Sequence, residues 1–206
     1  FCKRGLQSSF TVSDMDIYEN LTPRVLESRR QLLDGSQVVV LDTNLPSESI
    51  QWVAENCRAP IFADPVSTAK AEKLRPVLGK LHTLKPNRLE TELLSGVPIT
   101  DDDSLCRAAD ALLETGLHRV FISLGADGVF AADHSGQKRK LPALKGNIVS
   151  TTGCGDAFMA ALAWAYLQGS DLEKSARAGR AASTVTMASA ETISAAMSEQ
   201  ALLAHM

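Results

Sequence analysis

Seven residues, Ser150-Thr151-Thr152-Gly153-Cys154-Gly155-Asp156, combine features that chemistry on an anionic group requires. Two glycines bracket a turn between a short apolar strand, expected at Asn147-Ile148-Val149, and an apolar helix, expected to start near Ala157. The first N–H groups of a helix lack internal partners, and the helix dipole adds roughly half a positive charge there. Such a turn attracts phosphate or stabilises developing negative charge. Asp156 stands where an anion would sit, so its carboxylate needs a role of its own; accepting the proton of an attacking hydroxyl is one. The plainer alternative is a tight strand–helix connection in which Asp156 only complements the dipole. Cys154 adds another, because a thiol at a helix N-terminus can be acidified into a nucleophile. No GxSxG-like elbow or identifiable histidine partner accompanies it, which favours a small residue filling a tight turn. A dinucleotide fingerprint fits poorly, since Phe158 takes the third glycine slot, and no GxxxxGK[ST] loop exists.

Two other segments carry chemistry. In Lys85-Pro86-Asn87-Arg88-Leu89-Glu90, Asn87 and Glu90 have the spacing of a helix N-cap and its partner three residues on. The same pair, at the ligand-facing end of a strand, could order water around Mg²⁺, which prefers oxygen ligands and keeps several waters. Spacing alone does not separate these readings. In Ser123-Leu124-Gly125-Ala126-Asp127-Gly128, two glycines bracket a turn that is either a bare connection or a place where backbone closely approaches a nucleotide.

The elements that must position these segments alternate. Apolar runs without strict alternation at Gln37–Leu41, Pro60–Ala63, Leu81–Leu84 and Arg119–Ser123 predict strands covered on both faces. Helical patterns lie between them. Thr22-Pro23 pairs a cap with proline at the first helical position, and Thr100-Asp101-Asp102-Asp103 has capping-box spacing before a run ending at Gly116. Asp171 is placed to cap a helix through about Ser189. Repeated strand–helix units imply a mostly parallel α/β sheet, whose ligands bind outside the strands' carboxyl ends. Val129–Ala132 and Lys138–Leu141, joined by Asp133-His134-Ser135-Gly136, predict a hairpin. Ser9–Val12 reads as a strand with nothing before it to pair with.

Composition narrows the field. The chain has 206 residues, 45% apolar and 22% charged, with a net charge of −3. Lys138-Arg139-Lys140 is the basic run, without interleaved aromatics, so nucleic acid is not an expected partner. Cys2, Cys57, Cys106 and Cys154 have neither zinc-ligand nor disulfide-framework spacing, which suits reduced thiols and a cytoplasmic location. The apolar stretch from Ala157 to Leu167 is shorter than the ~20 residues a membrane span needs.

Taken together, the order NxxE, then GxxG after a strand, then a glycine-rich turn ending in GD before an apolar helix resembles the ribokinase-like (PfkB) carbohydrate kinases. The resemblance runs from about Ser9 to the C-terminus, with the family's usual DTxGAGD standing as Ser150–Asp156. It implies a ribokinase-like, mostly parallel sheet with helices on both faces, and ATP-dependent phosphorylation of a sugar or nucleoside hydroxyl. Asp14-Met15-Asp16-Ile17-Tyr18, Phe62-Ala63-Asp64-Pro65-Val66-Ser67 and His82–Glu90 resemble family members that act on pseudouridine, implying its 5′-hydroxyl as acceptor. By that likeness Asp156 is the catalytic base and the amides of Gly153, Cys154 and Gly155 form the anion hole. Asn87 and Glu90 order Mg²⁺, and Asn87, Thr152, Ser123, Gly125, Gly128 and the Ala181–Met187 segment lie near ATP. Ser150 replaces the signature's first Asp, which speaks against dependence on K⁺. The family's N-terminal part has no counterpart here, so the expected organisation is a lid-strand remnant or disordered segment over 1–13 and the C-terminal part of the kinase domain over 14–206. An exposed sheet edge would then invite pairing into a homodimer. The competing expectation is a truncated, inactive form that binds only nucleotide or a partner; a Cys154-dependent hydrolase is a third.

Overall fold

The computed structural model describes residues 15–206, so the strand expected at Ser9–Val12, the 1–13 segment and Cys2 lie outside the described residues. Among the described residues six strands form one sheet in sequential order: β1 (Val39–Asp42), β2 (Ile61–Asp64), β3 (Thr83–Leu84), β4 (Arg119–Ser123), β5 (Val129–Asp133) and β6 (Lys138–Leu141). β1 to β4 are parallel, with Val39 beside Ile61 and Thr83 beside Arg119. β5 and β6 turn back antiparallel as the expected hairpin. The helices are α1 (Pro23–Ser28), α2 (Arg30–Asp34), α3 (Ser47–Asn56), α4 (Thr68–Ala71), α5 (Arg88–Ser95), α6 (Asp102–Leu113), α7 (Cys154–Leu167), α8 (Leu172–Met187) and α9 (Glu199–Ala204).

The strands alternate between two buried faces, and for that reason their sequences read as unbroken apolar runs. Leu41, Ala63, Val120, Ile122 and Phe130 pack into one core with Ile50, Val53, Leu105, Ala109 and Leu112 of α3 and α6. Phe62, Phe121, Val129 and Ala131 face the other way, onto Phe158, Met159 and Leu162 of α7 and Leu172 and Ala176 of α8. The exceptions are the two edges of the described sheet, β1, where Val40 is 50% exposed, and β6, where Arg139 and Lys140 are exposed.

Several local expectations need correction. Asn147-Ile148-Val149 is not a strand; Ile148 is 69% exposed, and the Val149 N–H bonds to the Met187 carbonyl at 2.8 Å. A segment with no strand beside it lacks a ladder to join, and here Asn147 and Ile148 line a cavity instead. α7 begins at Cys154, not near Ala157, because Gly153 takes the N-cap at φ 83. Asp156 therefore lies within the first turn. The capping box of α6 is made by Asp101 and Ser104 rather than by Thr100 and Asp103, the Ser104 N–H reaching Asp101 Oδ1 at 2.7 Å. Pro23 opens α1 as expected, but the Thr22 side chain makes no capping bond. Asp171 caps α8 through the Lys174 N–H at 2.8 Å. Among the described residues no helix is long and apolar enough to cross a membrane.

Candidate active site

The parallel strands end on one rim, at Asp42, Asp64, Lys85 and Ser123. The first turn of α7 meets this rim, since the Lys85 ammonium lies 3.5 Å from where a Cβ on Gly155 would stand. Gly153 must be glycine there: its φ is positive and a Cβ would come within 2.3 Å of the Thr192 carbonyl oxygen. The N–H groups of Gly153, Gly155 and Asp156 have no partner among the described residues, whereas that of Cys154 makes a long bond of 3.3 Å to the Thr151 carbonyl. The helix dipole adds to this free donor set. The Asp156 side chain is exposed.

Three cavities border the turn. One, of about 530 Å³, is lined by Gly153, Asp156, Ala157, Trp164, Thr192 and Ile193. The other two also touch the strand rim. The first, of about 380 Å³, is lined by Lys85, Ser123, Gly125, Gly128, Thr151, Cys154 and Gly155 together with Arg180, Ser183, Thr184 and Met187 of α8. Gly128 lets the wall close up, because a Cβ there would stand 2.0 Å from the Leu141 carbonyl oxygen. Arg180 donates to the Pro142 carbonyl at 2.9 Å, but its buried Nε has no partner, and burial lowers its pKa. The second cavity, of about 450 Å³, is lined by Tyr18, Leu41, Asp42, Leu45, Asp64, Asp156 and Met159.

The structure thus brings together Ser123, Gly125, Gly128, Cys154 and Gly155 around the first of these, and sets Asp156 on the wall of the second and of the 530 Å³ cavity. Thr152 stands apart: it is exposed, its N–H bonds to Ser150 Oγ at 3.2 Å, and its neighbour Thr151 lines the first cavity. Asn87 and Glu90 form a capping box for α5, with the Glu90 N–H on Asn87 Oδ1 at 2.9 Å and the Asn87 N–H on Glu90 Oε2 at 2.8 Å. Asn87 also stays on the rim, bridged to Ser123. Burial pushes the Glu90 carboxyl up, opposed by the Asn87 N–H; nearby Asp64 raises it further and Lys85 lowers it. Glu90 and Asp64 lie close enough to act on each other, and these oxygen donors make a hydrated divalent cation compatible with this corner, although no cluster of three acidic, histidine or cysteine ligands exists among the described residues. The Cys154 thiol contacts the Ser183 carbonyl at 3.7 Å, and burial raises its pKa, which disfavours a nucleophilic thiolate.

Reading the sequence alone missed Tyr18, Asp42 and the Asp64–Lys85 pair, joined at 2.9 Å. The available signal was a charged residue directly after each apolar strand run: Leu41-Asp42, Ala63-Asp64 and Leu84-Lys85.

A model of the pfkB family carbohydrate kinases matches residues 7–199. The chain is 35% identical over 177 residues to pseudouridine kinase of Escherichia coli (strain K12), an alignment covering 85% of this chain and 56% of the relative. A carbohydrate kinase structure from Agrobacterium tumefaciens superposes with a TM-score of 0.79 at 30% identity, covering 94% of this chain and 62% of that one. The structure of Arabidopsis thaliana ribokinase complexed with ribose and ATP superposes with a TM-score of 0.76 at 21% identity, covering 86% and 58%, and shows the shared fold. The chain therefore spans little more than half the length of the curated relative. With the match over 7–199, the glycine turn at the rim and the mostly parallel sheet that presents it, this chain belongs to the pfkB family of carbohydrate kinases.

Proposed function

We propose that the chain carries the phosphoryl-transfer centre of an ATP-dependent kinase for a sugar or nucleoside hydroxyl, with the 5′-hydroxyl of pseudouridine as acceptor. One observation carries this reading: adjacent residues of a single turn serve two cavities, Gly155 lining the first and Asp156 the second. A nucleotide in the first cavity would end against unpartnered amides, while an acceptor in the second would meet a carboxylate. The likeness to pseudouridine kinase supports the acceptor, and the ribokinase that binds ribose and ATP supports the two ligand classes.

In this arrangement the acceptor oxygen attacks the γ-phosphorus, and the bond from that phosphorus to the β,γ-bridging oxygen breaks. ADP leaves with the electron pair, and the hydroxyl proton passes to Asp156. The amides of Gly153 and Gly155 meet the charge that develops on the transferring group; loss of one such donor in other enzymes costs about 10²–10³ in rate. Tyr18 and Asp42 offer polar groups to the hydroxyls of the acceptor. Mg²⁺, when bound, would neutralise phosphate charge, and Asn87 and Glu90 are the residues that would hold its waters.

Asp156→Asn tests the reading. It should abolish turnover in a coupled assay with ATP and pseudouridine while leaving ATP affinity within about threefold, as expected of a group that touches the acceptor and not the nucleotide. An unchanged kcat would remove Asp156 from the chemistry. A second reading, nucleotide binding without turnover, is favoured by the open acceptor side, where Val40 of the outermost strand is half exposed. Calorimetry showing ATP binding by a chain that turns over no pseudouridine or ribose would select it.

A further inference from the structure

Lys85 has no part in the scheme above, yet its placement is costly. It is only 6% exposed, and a lysine that deep requires a compensating charge. Asp64, from the end of the neighbouring strand, supplies one at 2.9 Å. The other Asp64 oxygen accepts the Val66 N–H at 3.0 Å. Val66 sits at φ 61, a left-handed conformation that a β-branched residue avoids, so this loop is held against its own preference. Asp64 is thereby fixed from two sides, and Lys85 with it.

An ammonium has three donors; Asp64 takes one, and the Glu90 carboxylate lies close enough to feel its charge. The remaining donors lie beside the first turn of α7, with Nζ 3.5 Å from the Cβ position of Gly155. The pair also straddles the two cavities: Lys85 lines the one assigned to nucleotide and Asp64 the one assigned to acceptor. A group handed from one cavity to the other passes this point.

We infer that Lys85 contacts the terminal phosphoryl group of the nucleoside triphosphate, and that Asp64 is the positioning residue that aims it. The inference rests on the phosphoryl-transfer reading and extends it to a fixed cation supplied by the chain itself. Lys85 donates hydrogen bonds to phosphate oxygens whose charge spreads as the bond to the leaving oxygen loosens. The consequence is discrimination between ATP, which has the third phosphate, and ADP, which does not.

The test is calorimetry on the full chain with ATP and with ADP, each with Mg²⁺. Lys85→Met alone would leave Asp64 buried without its partner and could unfold the chain, so the informative variant is Lys85→Met with Asp64→Asn. That pair removes both charges and keeps an acceptor for the Val66 N–H. It should weaken ATP by about ten- to a hundredfold, the span of a hydrogen bond to a charged group, and ADP by less than about threefold. Asp64→Asn alone should lose part of that discrimination, and Lys85→Arg should recover part of it. If ATP and ADP weaken equally, or neither changes, Lys85 only ties β2 to β3 and the inference fails. If the unmodified chain binds neither nucleotide, the kinase reading fails first and this one with it.

Discussion

At the scale of single residues, position along the turn decides the role. Gly153 combines φ 83 with a carbonyl 2.3 Å from its missing Cβ, whereas Gly125 at φ 60 has nothing within 4 Å. Gly153→Ala should therefore cost about 2 kcal/mol or more, from left-handed backbone strain and overpacking together, while Gly125→Ala should cost about 1 kcal/mol from backbone alone. Urea unfolding of the two variants checks the difference; equal losses would show that Thr192 moves aside freely. The residue types of this turn were legible in the sequence because the spacing of two glycines and an acid has few other uses. The partners of Cys154 were not: its carbonyl accepts from Ser183 Oγ at 3.1 Å, a contact spanning 29 residues of chain.

At the scale of elements, α5 shows how one motif satisfies two readings. Its capping box is fully formed, which realises the plain reading of Asn87 and Glu90 without removing Asn87 from the rim. Asn87→Ala should lower the unfolding free energy by about 1 kcal/mol, and Asn87→Ser should restore most of it. Mg²⁺-dependent ATP affinity that falls in Ala and stays low in Ser would reveal a role for the amide beyond capping. The capping box of α6 shows the limit of spacing rules. Four polar residues, Thr100 to Asp103, offered competing caps, and the winner was set by which carboxylate could face the Ser104 N–H as Leu105 and Ala108 entered the core. The trio Asn147-Ile148-Val149 failed as a strand for a related reason, since a strand exists only with a neighbour.

At the scale of the molecule, the two ends of the sheet differ in kind. The carboxyl rim gathers the site, while the amino end holds a stack of rings: Phe62 on His82 at 5.3 Å, His82 on His118 at 5.5 Å, and His118 near His134 at 4.9 Å. Burial, then Arg119, His118 and His134, lowers the pKa of His82 to about 4, and its Nδ1 lies 2.9 Å from Thr83 Oγ1. Because the folded value lies below the ordinary 6.5, the unfolded chain binds the extra proton between those limits. Stability is thus complete above pH ~6.5 and declines as pH falls toward 4. The partly buried ring should contribute about 1–2 kcal/mol of that decline after allowance for solvent screening. Urea unfolding at pH 7 and pH 4.5 should show a smaller difference in His82→Gln than in the unmodified chain. An identical difference would assign the pH dependence to other groups.

By itself the sequence determined what is written in local order. The alternation of strands and helices, the hairpin, the capping pair at Asn87 and the glycine turn with its aspartate all depend on residues within a few positions of one another. Tertiary structure alone decided which of those pieces share a rim: that Lys85 reaches from β3 to Asp64 on one side and Gly155 on the other, and that Gly155 and Asp156 open onto different cavities. The reason is physical. Backbone hydrogen bonds and caps are satisfied by neighbours in the chain, but a buried ion pair and a cavity exist only when distant segments are packed against each other.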